Sequence, residues 1–262
     1  MNKVKSLEDC EWQLIHTIPQ SPNLHMALDS IITEEVNKGI RLPTIRIWEW
    51  DSSAVVLGRF QSFRNEINEE AAKRHNVQIV RRISGGGAMF VEPENSITYS
   101  ISIPKYLVSN LNFQESYQLL DSWIVEALNS IGIEAIYKPI NDIILTSGQK
   151  IGGAAQARFS NAILHHVTMS YKMNTSKMVE ILRIGKEKIS DKGITSAKKR
   201  VAENGISKTG ISRSSFINHM INVFSNKYKL INNIDISEDT IYNANKLCKE
   251  KFDNHDWLHI VK

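Results

Sequence analysis

From Ser21 to Gly39 the apolar residues recur at helical spacing. Leu24, Ala27, Ile31 and Val36 share one stripe, polar residues stand at the start and Gly39 at the stop, which predicts an amphipathic helix. The period then changes. Residues 44–50 (TIRIWEW) and 53–60 (SAVVLGRF) alternate or run apolar between turn residues, and 77–84 (VQIVRRIS) follows a short helical stretch at 69–75. Residues 96–103 (SITYSISI) alternate without a break, with Ile97, Tyr99, Ile101 and Ile103 on one face and Thr98, Ser100 and Ser102 on the other. That pattern predicts a half-buried strand.

A second long helix is predicted over 112–132, where Leu120, Trp123, Ile124, Ala127, Leu128 and Ile131 form the buried stripe and Gly132 supplies the C-cap. A meander of strands follows. Asp142–Thr146 turns at Ser147, Gly148 and Gln149 into 150–159, which turns at Ser160 and Asn161 into 162–173. After Met173 the texture becomes helical, in three segments at 174–185, 212–228 and 237–252. The prediction is an α+β chain: a mixed β-sheet flanked by helices, then a helical C-terminal third. No internal repeat or low-complexity segment interrupts it.

Composition narrows the class. With 42% hydrophobic and 23% charged residues in 262, disorder, collagen and coiled coil are excluded, and the length allows one large domain or a large and a small one. Two cysteines, Cys10 and Cys248, cannot build a disulfide framework or a thiolate metal site. The first residues carry no signal-peptide apolar run and no apolar stretch is long enough to span a bilayer, so a cytoplasmic, unanchored protein is expected. The formal net charge of +4 is unevenly placed. Between Lys172 and Arg213 stand eleven Lys and Arg against four Asp and Glu, so the rest of the chain is slightly acidic. This segment is either a solvated helix face or a docking place for an acidic ligand or partner. Nucleic acid is not expected, because no aromatics are interleaved with these charges as stacking platforms.

Two stretches carry candidate chemistry. In the first, Arg81-Arg82-Ile83-Ser84-Gly85-Gly86-Gly87-Ala88-Met89-Phe90, three glycines let backbone N–H groups approach a ligand as phosphate-cradling loops do, and arginine adds charge-assisted donors. A flexible hairpin would also explain the glycines. Strand alternation sends Arg81 and Arg82 to opposite faces, so one of them enters a site. The second stretch is Asn141-Asp142-Ile143 followed by Gly148-Gln149-Lys150-Ile151-Gly152-Gly153-Ala154. Paired glycines in a good strand indicate something lying close against it. Lys150 is suited to a bound carboxylate or phosphate, or else is a solvent-facing hairpin lysine. His165 and His166 alternate across a strand and read as structural, since nothing supplies a third metal ligand or a nucleophile.

Together these stretches resemble the lipoate-protein ligase A family, within the biotin and lipoate ligases whose catalytic fold is similar to that of class II aminoacyl-tRNA synthetases. Four segments match in order. They are 55–68 (VVLGRFQSFRNEIN, with Gly58, Arg59, Gln61 and Glu66), the signature RRISGGGAMF, the stretch from Asn141 through Lys150 to His165-His166-Val167-Thr168, and the lysine- and arginine-rich 191–203. Val91 and Glu92 depart from the histidine and aspartate that usually continue the signature.

The resemblance implies an enzyme that activates lipoate with Mg²⁺-ATP to lipoyl-adenylate. It then transfers the acyl group to a lysine of a lipoyl acceptor domain, in a 2-oxoacid dehydrogenase complex or the glycine cleavage H protein. It implies Lys150 as the catalytic residue. Arg82, Gly85, Gly86, Gly87, Ala88, Met89, Phe90, Asn141 and Asp142, with Lys150, would bind ATP and adenylate. Arg59, Gly152, Gly153 and Ala154, again with Lys150, would bind lipoate, and Asp142 would hold the metal. The resemblance spans about residues 20–230 of a single catalytic domain, 1–262, with a helical extension from about 231 to 262. The small C-terminal domain of longer ligases is not expected, and a separate small accessory subunit, as in archaeal relatives, is the implied partner. An octanoyl- or lipoyltransferase of the same fold is the alternative enzyme. Its nucleophilic cysteine stands shortly before the Asn-Asp segment, where this chain has Ala135-Ile136-Tyr137-Lys138-Pro139. The non-enzymatic alternative, a lipoyl-adenylate or acceptor binding protein, would be expected to have lost Lys150.

Overall fold

The computed structural model describes residues 6–183 and 201–261. Residues 184–200, which hold most of the lysine-rich 191–203 stretch and the middle of the basic segment from Lys172 to Arg213, lie outside the described residues. In chain order the elements are β1 (Glu11–His16), α1 (Pro22–Asn37), β2 (Thr44–Trp48), β3 (Ala54–Leu57), α2 (Phe63–Glu66), α3 (Glu69–Arg74), β4 (Gln78–Arg81), β5 (Met89–Val91) and β6 (Ser96–Pro104). Then come α4 (Phe113–Ser130), β7 (Ala135–Lys138), β8 (Asp142–Leu145), β9 (Lys150–Arg158), β10 (Ala162–Ser170), α5 (Thr175–Ile181), α6 (Arg213–Lys227), β11 (Lys229–Asn233), α7 (Glu238–Leu247) and α8 (His255–Leu258).

Local chemistry sets the long helices. Ser21 caps α1 by accepting from the Leu24 N–H with Pro22 at the first helical position, and Gly39 leaves at φ 71°. Asn112 and Glu115 form a reciprocal capping box on α4, which ends at Gly132 with φ 80°.

Among the described residues the strands form two sheets. The large one runs β11-β1-β2-β6-β10-β9-β8-β7, with β11, β1 and β2 parallel and the remaining pairs antiparallel; the small one is β4-β3-β5. Helices α4 and α6 cover one face of the large sheet, where Trp12, Tyr99, Trp123 and Phe224 meet. On the other face α1 and the small sheet pack together through Met26, Leu28, Trp48, Val56 and Val80. Helices α3 and α5 close the outer side of the small sheet. No described helix is long and apolar enough to cross a membrane.

The mixed sheet flanked by helices is as expected, but two expectations change. Strand β6 is buried on both faces. Its Ser and Thr face is covered by α1 and satisfied by side chains: Ser102 bonds Thr33, Ser100 accepts from the Trp48 indole, and Thr98 accepts from the Trp50 indole. Buried hydroxyls are tolerated because each has a partner. The C-terminal third is not purely helical either. β11 adds a parallel edge to β1, and α7 packs on α1, where Thr240 donates to Glu35 and accepts from Arg41.

Candidate active site

The glycine-rich stretch leaves β4, crosses the edge of the small sheet and returns as β5. The segment after β3 lies directly beneath it: the Arg59 N–H donates to the Ser84 carbonyl, and a Cβ on Gly58 would overlap the Gly86 carbonyl oxygen. Gly86 itself has φ 92°, a conformation that glycine adopts without a Cβ penalty. Close approach of two backbones therefore explains Gly58 and the positive φ explains Gly86, whereas a Cβ on Gly85 or Gly87 would meet no close neighbour.

Arg81 and Arg82 do face opposite ways. Arg81 is a backbone clamp, donating to the Gly58 and Gln61 carbonyls on one side and to the Leu258 carbonyl on the other. Arg82 turns into the cavity. Its Nε donates to Ser84 Oγ (2.9 Å), Nη1 to the Val56 carbonyl (3.0 Å), and Nη2 to the Gly85 and Gly87 carbonyls (2.7 and 2.9 Å). Four of its five N–H groups hold the loop in shape, and the fifth has no acceptor among the described residues. Burial lowers this guanidinium to about 10, so it stays charged at neutral pH.

Across the cavity, β8 and β9 are out of simple register. Ile143 pairs with Gly152 but Ile144 pairs with Lys150, a bulge that accommodates Ile151. Such a bulge re-aims a side chain. Here it puts Lys150 on the face of Gly153 and Asp142, with the ammonium 2.6 Å from Asp142 Oδ1. A Cβ on Gly153 would stand 2.7 Å from Lys150 Nζ, so this glycine clears the path of the lysine. Gly152 faces Met169 and Ile143 instead. Asn141 fastens the other end, donating to the Ala154 carbonyl and accepting from its N–H.

Between the two stretches lies a cavity of about 420 Å³. The expected residues Arg82, Gly87, Ala88, Met89, Phe90, Asn141, Lys150, Gly152, Gly153 and Ala154 line it together. Gly85 and Gly86 form the back of the loop, and Asp142 stands beside Lys150 without lining the cavity. Arg59 points elsewhere: its guanidinium lies 4.2 Å from the centre of the Trp257 ring, and its Nη1 has no hydrogen-bond partner among the described residues. Among the described residues no cluster of three potential ligands could hold a metal ion alone. The carboxylate of Asp142 nevertheless suits Mg²⁺, which takes one or two carboxylates and fills its remaining positions with phosphate oxygens and water.

Sequence reasoning named Glu66 in the matched 55–68 segment without giving it a place in a site, and it missed the apolar walls. Met26, Trp48 and Val56 close one end, and Met173, Met178 and Leu182 another, with Glu66 and Arg183 as polar additions. These positions come from five separate parts of the chain and share no local pattern. It also undervalued one histidine. His165 is a core residue, bonded to Asp121 at 2.7 Å and fully buried, but His166 lines the cavity. Its Nε2 is 2.7 Å from Ser84 Oγ and its Nδ1 2.9 Å from Asp29 Oδ2. Burial lowers His166 despite the neighbouring Asp29 carboxylate.

At the unusual signature positions, Val91 is a core residue and Glu92 accepts from Lys177 Nζ (2.6 Å) and Asn95. Glu92 thus ties α5, the helix that brings Met178 to the cavity, to the β5–β6 turn.

The lipoyl protein ligase A/B catalytic domain is the family whose model matches, over residues 21–225. The chain belongs to this family. A probable lipoate-protein ligase A of Mycoplasma pneumoniae is 29% identical over 244 residues, spanning 93% of this chain and 70% of that protein. The octanoyltransferase LipM of an Exiguobacterium species is 27% identical, spanning 77% of this chain and 80% of its own length. Among solved structures, one from an archaeal lipoylation system, a bi-partite lipoate protein ligase and its E2 lipoyl domain from Thermoplasma acidophilum, superposes with a TM-score of 0.83 at 22% identity and covers 97% of both chains. A lipoate-protein ligase A bound with ATP superposes with a TM-score of 0.80 at 21% identity, covering 95% of this chain and 98% of that one. At these identities the structural likeness is one of fold. The family contains ligases and acyltransferases, and both kinds are among the relatives.

Proposed function

We propose that the protein is the catalytic component of a lipoate-protein ligase, using ATP to make lipoyl-adenylate and passing the lipoyl group to a lysine of an acceptor domain. The observation that carries this reading is the Lys150 ammonium, held at the cavity edge by Asp142 above the space cleared by Gly153. In the first step a lipoate carboxylate oxygen attacks the α-phosphorus and pyrophosphate leaves. In the second the acceptor amine attacks the acyl carbonyl and AMP leaves. Negative charge grows on the carbonyl and phosphate oxygens in these steps, and one fixed cation between them lowers both barriers.

The remaining N–H of Arg82 is available to a phosphate oxygen, and the loop from Gly87 to Phe90 offers backbone donors to the adenylate. Mg²⁺ would be held by Asp142 together with the nucleotide and would offset phosphate charge. The apolar lining around Met26, Trp48, Val56 and Met169, opened by Gly152 and Ala154, suits an acyl chain. The lipoate contact expected of Arg59 has no support from this geometry. A second polypeptide assisting activation is part of the proposal, by analogy with the bi-partite ligase.

The octanoyltransferase reading is kept as the second one because of the LipM relatives. It needs a nucleophile, however, and both cysteines are buried away from the cavity. Burial and the nearby Asp253 push the Cys248 thiol up to about 12, the opposite of activation. The deciding experiment is Lys150→Ala, followed by lipoate-dependent pyrophosphate release. Loss of release with an unchanged melting temperature is expected. Undiminished release would remove the assignment.

A further inference from the structure

The glycine loop is held, on the face of the large sheet that α1 covers, by a continuous line of buried polar groups. It begins at Glu49 and His25. Arg46 Nη1 is 2.9 Å from His25 Nδ1, which makes that nitrogen the acceptor and leaves Nε2–H to donate to the Glu49 carbonyl at 2.8 Å. Arg46 Nη2 then reaches Asp29 Oδ1 at 2.6 Å, and the Ser100 hydroxyl donates to the same oxygen at 2.7 Å. Burial alone would raise the Asp29 carboxyl, but Arg46 and His166 together hold it below the ordinary range, so it is a carboxylate. An ionised carboxylate can only accept. His166 therefore carries its proton on Nδ1, facing Asp29 Oδ2, and presents the Nε2 lone pair to Ser84. The hydroxyl hydrogen of Ser84 is committed to His166. Its oxygen is thereby turned to accept from Arg82 Nε. Each link fixes the tautomer or rotor of the next.

We propose that Asp29, His166 and Ser84 are positioning residues, a relay that locks the Arg82 guanidinium so that its one unassigned N–H points at an anionic group in the cavity. This rests on the proposed function in taking that anion to be a nucleotide phosphate. The order Ser84, His166, Asp29 is that of a nucleophile, its base and an orienting carboxylate. Two features separate it from one: Ser84 is 1% exposed and is not among the cavity-lining residues, and its oxygen already accepts from Arg82. His166 thus acts through Ser84, and Ser84 through Arg82. Without the hydroxyl, Arg82 Nε loses its acceptor and the guanidinium is held only by its bonds to the Val56, Gly85 and Gly87 carbonyls, which do not fix the Nε end.

The substitutions separate the links. In His166→Asn the amide nitrogen replaces Nδ1 and keeps the bond to Asp29, but nothing reaches Ser84. In His166→Gln the amide oxygen extends to the position of Nε2 and can again accept from Ser84. Ser84→Ala removes one hydroxyl from a buried loop and carries little folding risk, so it stands on its own if the histidine variants fold poorly. Two readouts are taken on wild type, the single variants and the Ser84→Ala/His166→Asn double variant. The first is solvent exchange of the Arg82 Nε–H, followed by ¹⁵N NMR and assigned through Arg82→Lys; it needs no activity. The second is lipoate-dependent exchange of pyrophosphate into ATP.

In Ser84→Ala and His166→Asn we expect Arg82 Nε–H to exchange at least about tenfold faster. The kcat/KM for ATP should fall about ten- to a hundredfold, the range seen when a group orienting a ligand-binding side chain is removed. His166→Gln should recover most of both. The double variant should be no worse than Ser84→Ala alone, because coupled groups on one pathway are not additive. Additive losses would show that His166 acts on the substrate itself, and unchanged Arg82 exchange in Ser84→Ala would show that the hydroxyl does not hold the fork. Either result overturns the relay, as does a covalent acyl adduct on Ser84. If the NMR cycle behaves as expected while wild type shows no lipoate-dependent exchange even with cell extract supplying an assisting polypeptide, the relay stands and the ligase reading fails.

Discussion

Replacing Gly153 by alanine separates stability from chemistry in a way that few single substitutions can. The new Cβ would lie 2.7 Å from Lys150 Nζ and 2.8 Å from Cε, with Asp142 Oδ1 at 3.9 Å. All of these are the mobile ends of side chains, so the backbone has no reason to move. To reach an ordinary contact of 3.4 Å the ammonium must retreat by about 0.7 Å. Two terms decide stability. Alanine in a strand is favoured over glycine by about 0.5–1 kcal/mol. The ion pair being weakened has side chains 42% and 34% exposed, and at such exposure a pair contributes about 0–1 kcal/mol. The two nearly cancel, so the melting temperature should move by no more than about 4 °C. Activity should not be spared. A charge displaced by most of an ångström from its reacting partners costs about a hundredfold in rate. Thermal melting alongside steady-state pyrophosphate exchange is the assay. The reasoning is refuted if Gly153→Ala turns over at the wild-type rate, or if it is as inactive as expected only because it has unfolded.

Other substitutions have different signatures. In Gly58→Ala the added Cβ meets the Gly86 backbone, which cannot swing away, so overpacking of about 1–3 kcal/mol is expected with loss of nucleotide binding, measured by urea melts and calorimetry. Asp29→Ala leaves Arg46 buried without its carboxylate, and denaturant unfolding should show a loss of about 3–5 kcal/mol; a loss under 1 kcal/mol would mean the pair is solvated. Stability should also fall with acidification well before the carboxylates titrate. Burial and Arg46 lower His25 from 6.5 to about 3, so it is neutral in the fold and takes up a proton on unfolding below pH 6.5; its contribution is complete above that pH and declines by about 1.4 kcal/mol per unit as the pH falls towards 3. His166 acts in the same direction, whereas Asp29, lowered from 3.8, costs stability only below that value. Urea melts from pH 7.5 to 4.5 check this, and His25→Gln should flatten the slope.

The helices α1 and α4, the strands β2, β3, β6, β8, β9 and β10, and both glycine stretches are legible in the chain because each has its own period or punctuation. What the sequence conceals is whatever depends on a distant partner. The alternation of β6 identifies the strand, yet a serine face looks the same whether it meets water or the buried Asp29, Thr33 and Trp48 groups beneath α1. The edge strands β7 and β11, and β1 beside β11, are short and weakly patterned, and pairing with neighbours rather than propensity makes them strands. The candidate site divides the same way. Lys150, Asp142 and the glycines announce themselves by spacing, although the purpose of Gly153 as clearance for the lysine emerges only with the bulge. His166 reads as one of two strand histidines until Ser84 and Asp29, 82 and 137 residues away, are seen on either side of it.

The central claim is ATP-dependent lipoylation, and intact mass measurement of a lipoyl acceptor domain tests it most directly. The acceptor is incubated with the protein, lipoate and Mg²⁺-ATP, with and without cell extract to supply any assisting polypeptide, and in parallel with synthetic lipoyl-adenylate or with an octanoyl thioester and no ATP. The account predicts one lipoyl group added in the ATP and adenylate arms, lost in Lys150→Ala, and none from the thioester. Modification from the thioester without ATP, with none in the other arms, would contradict it.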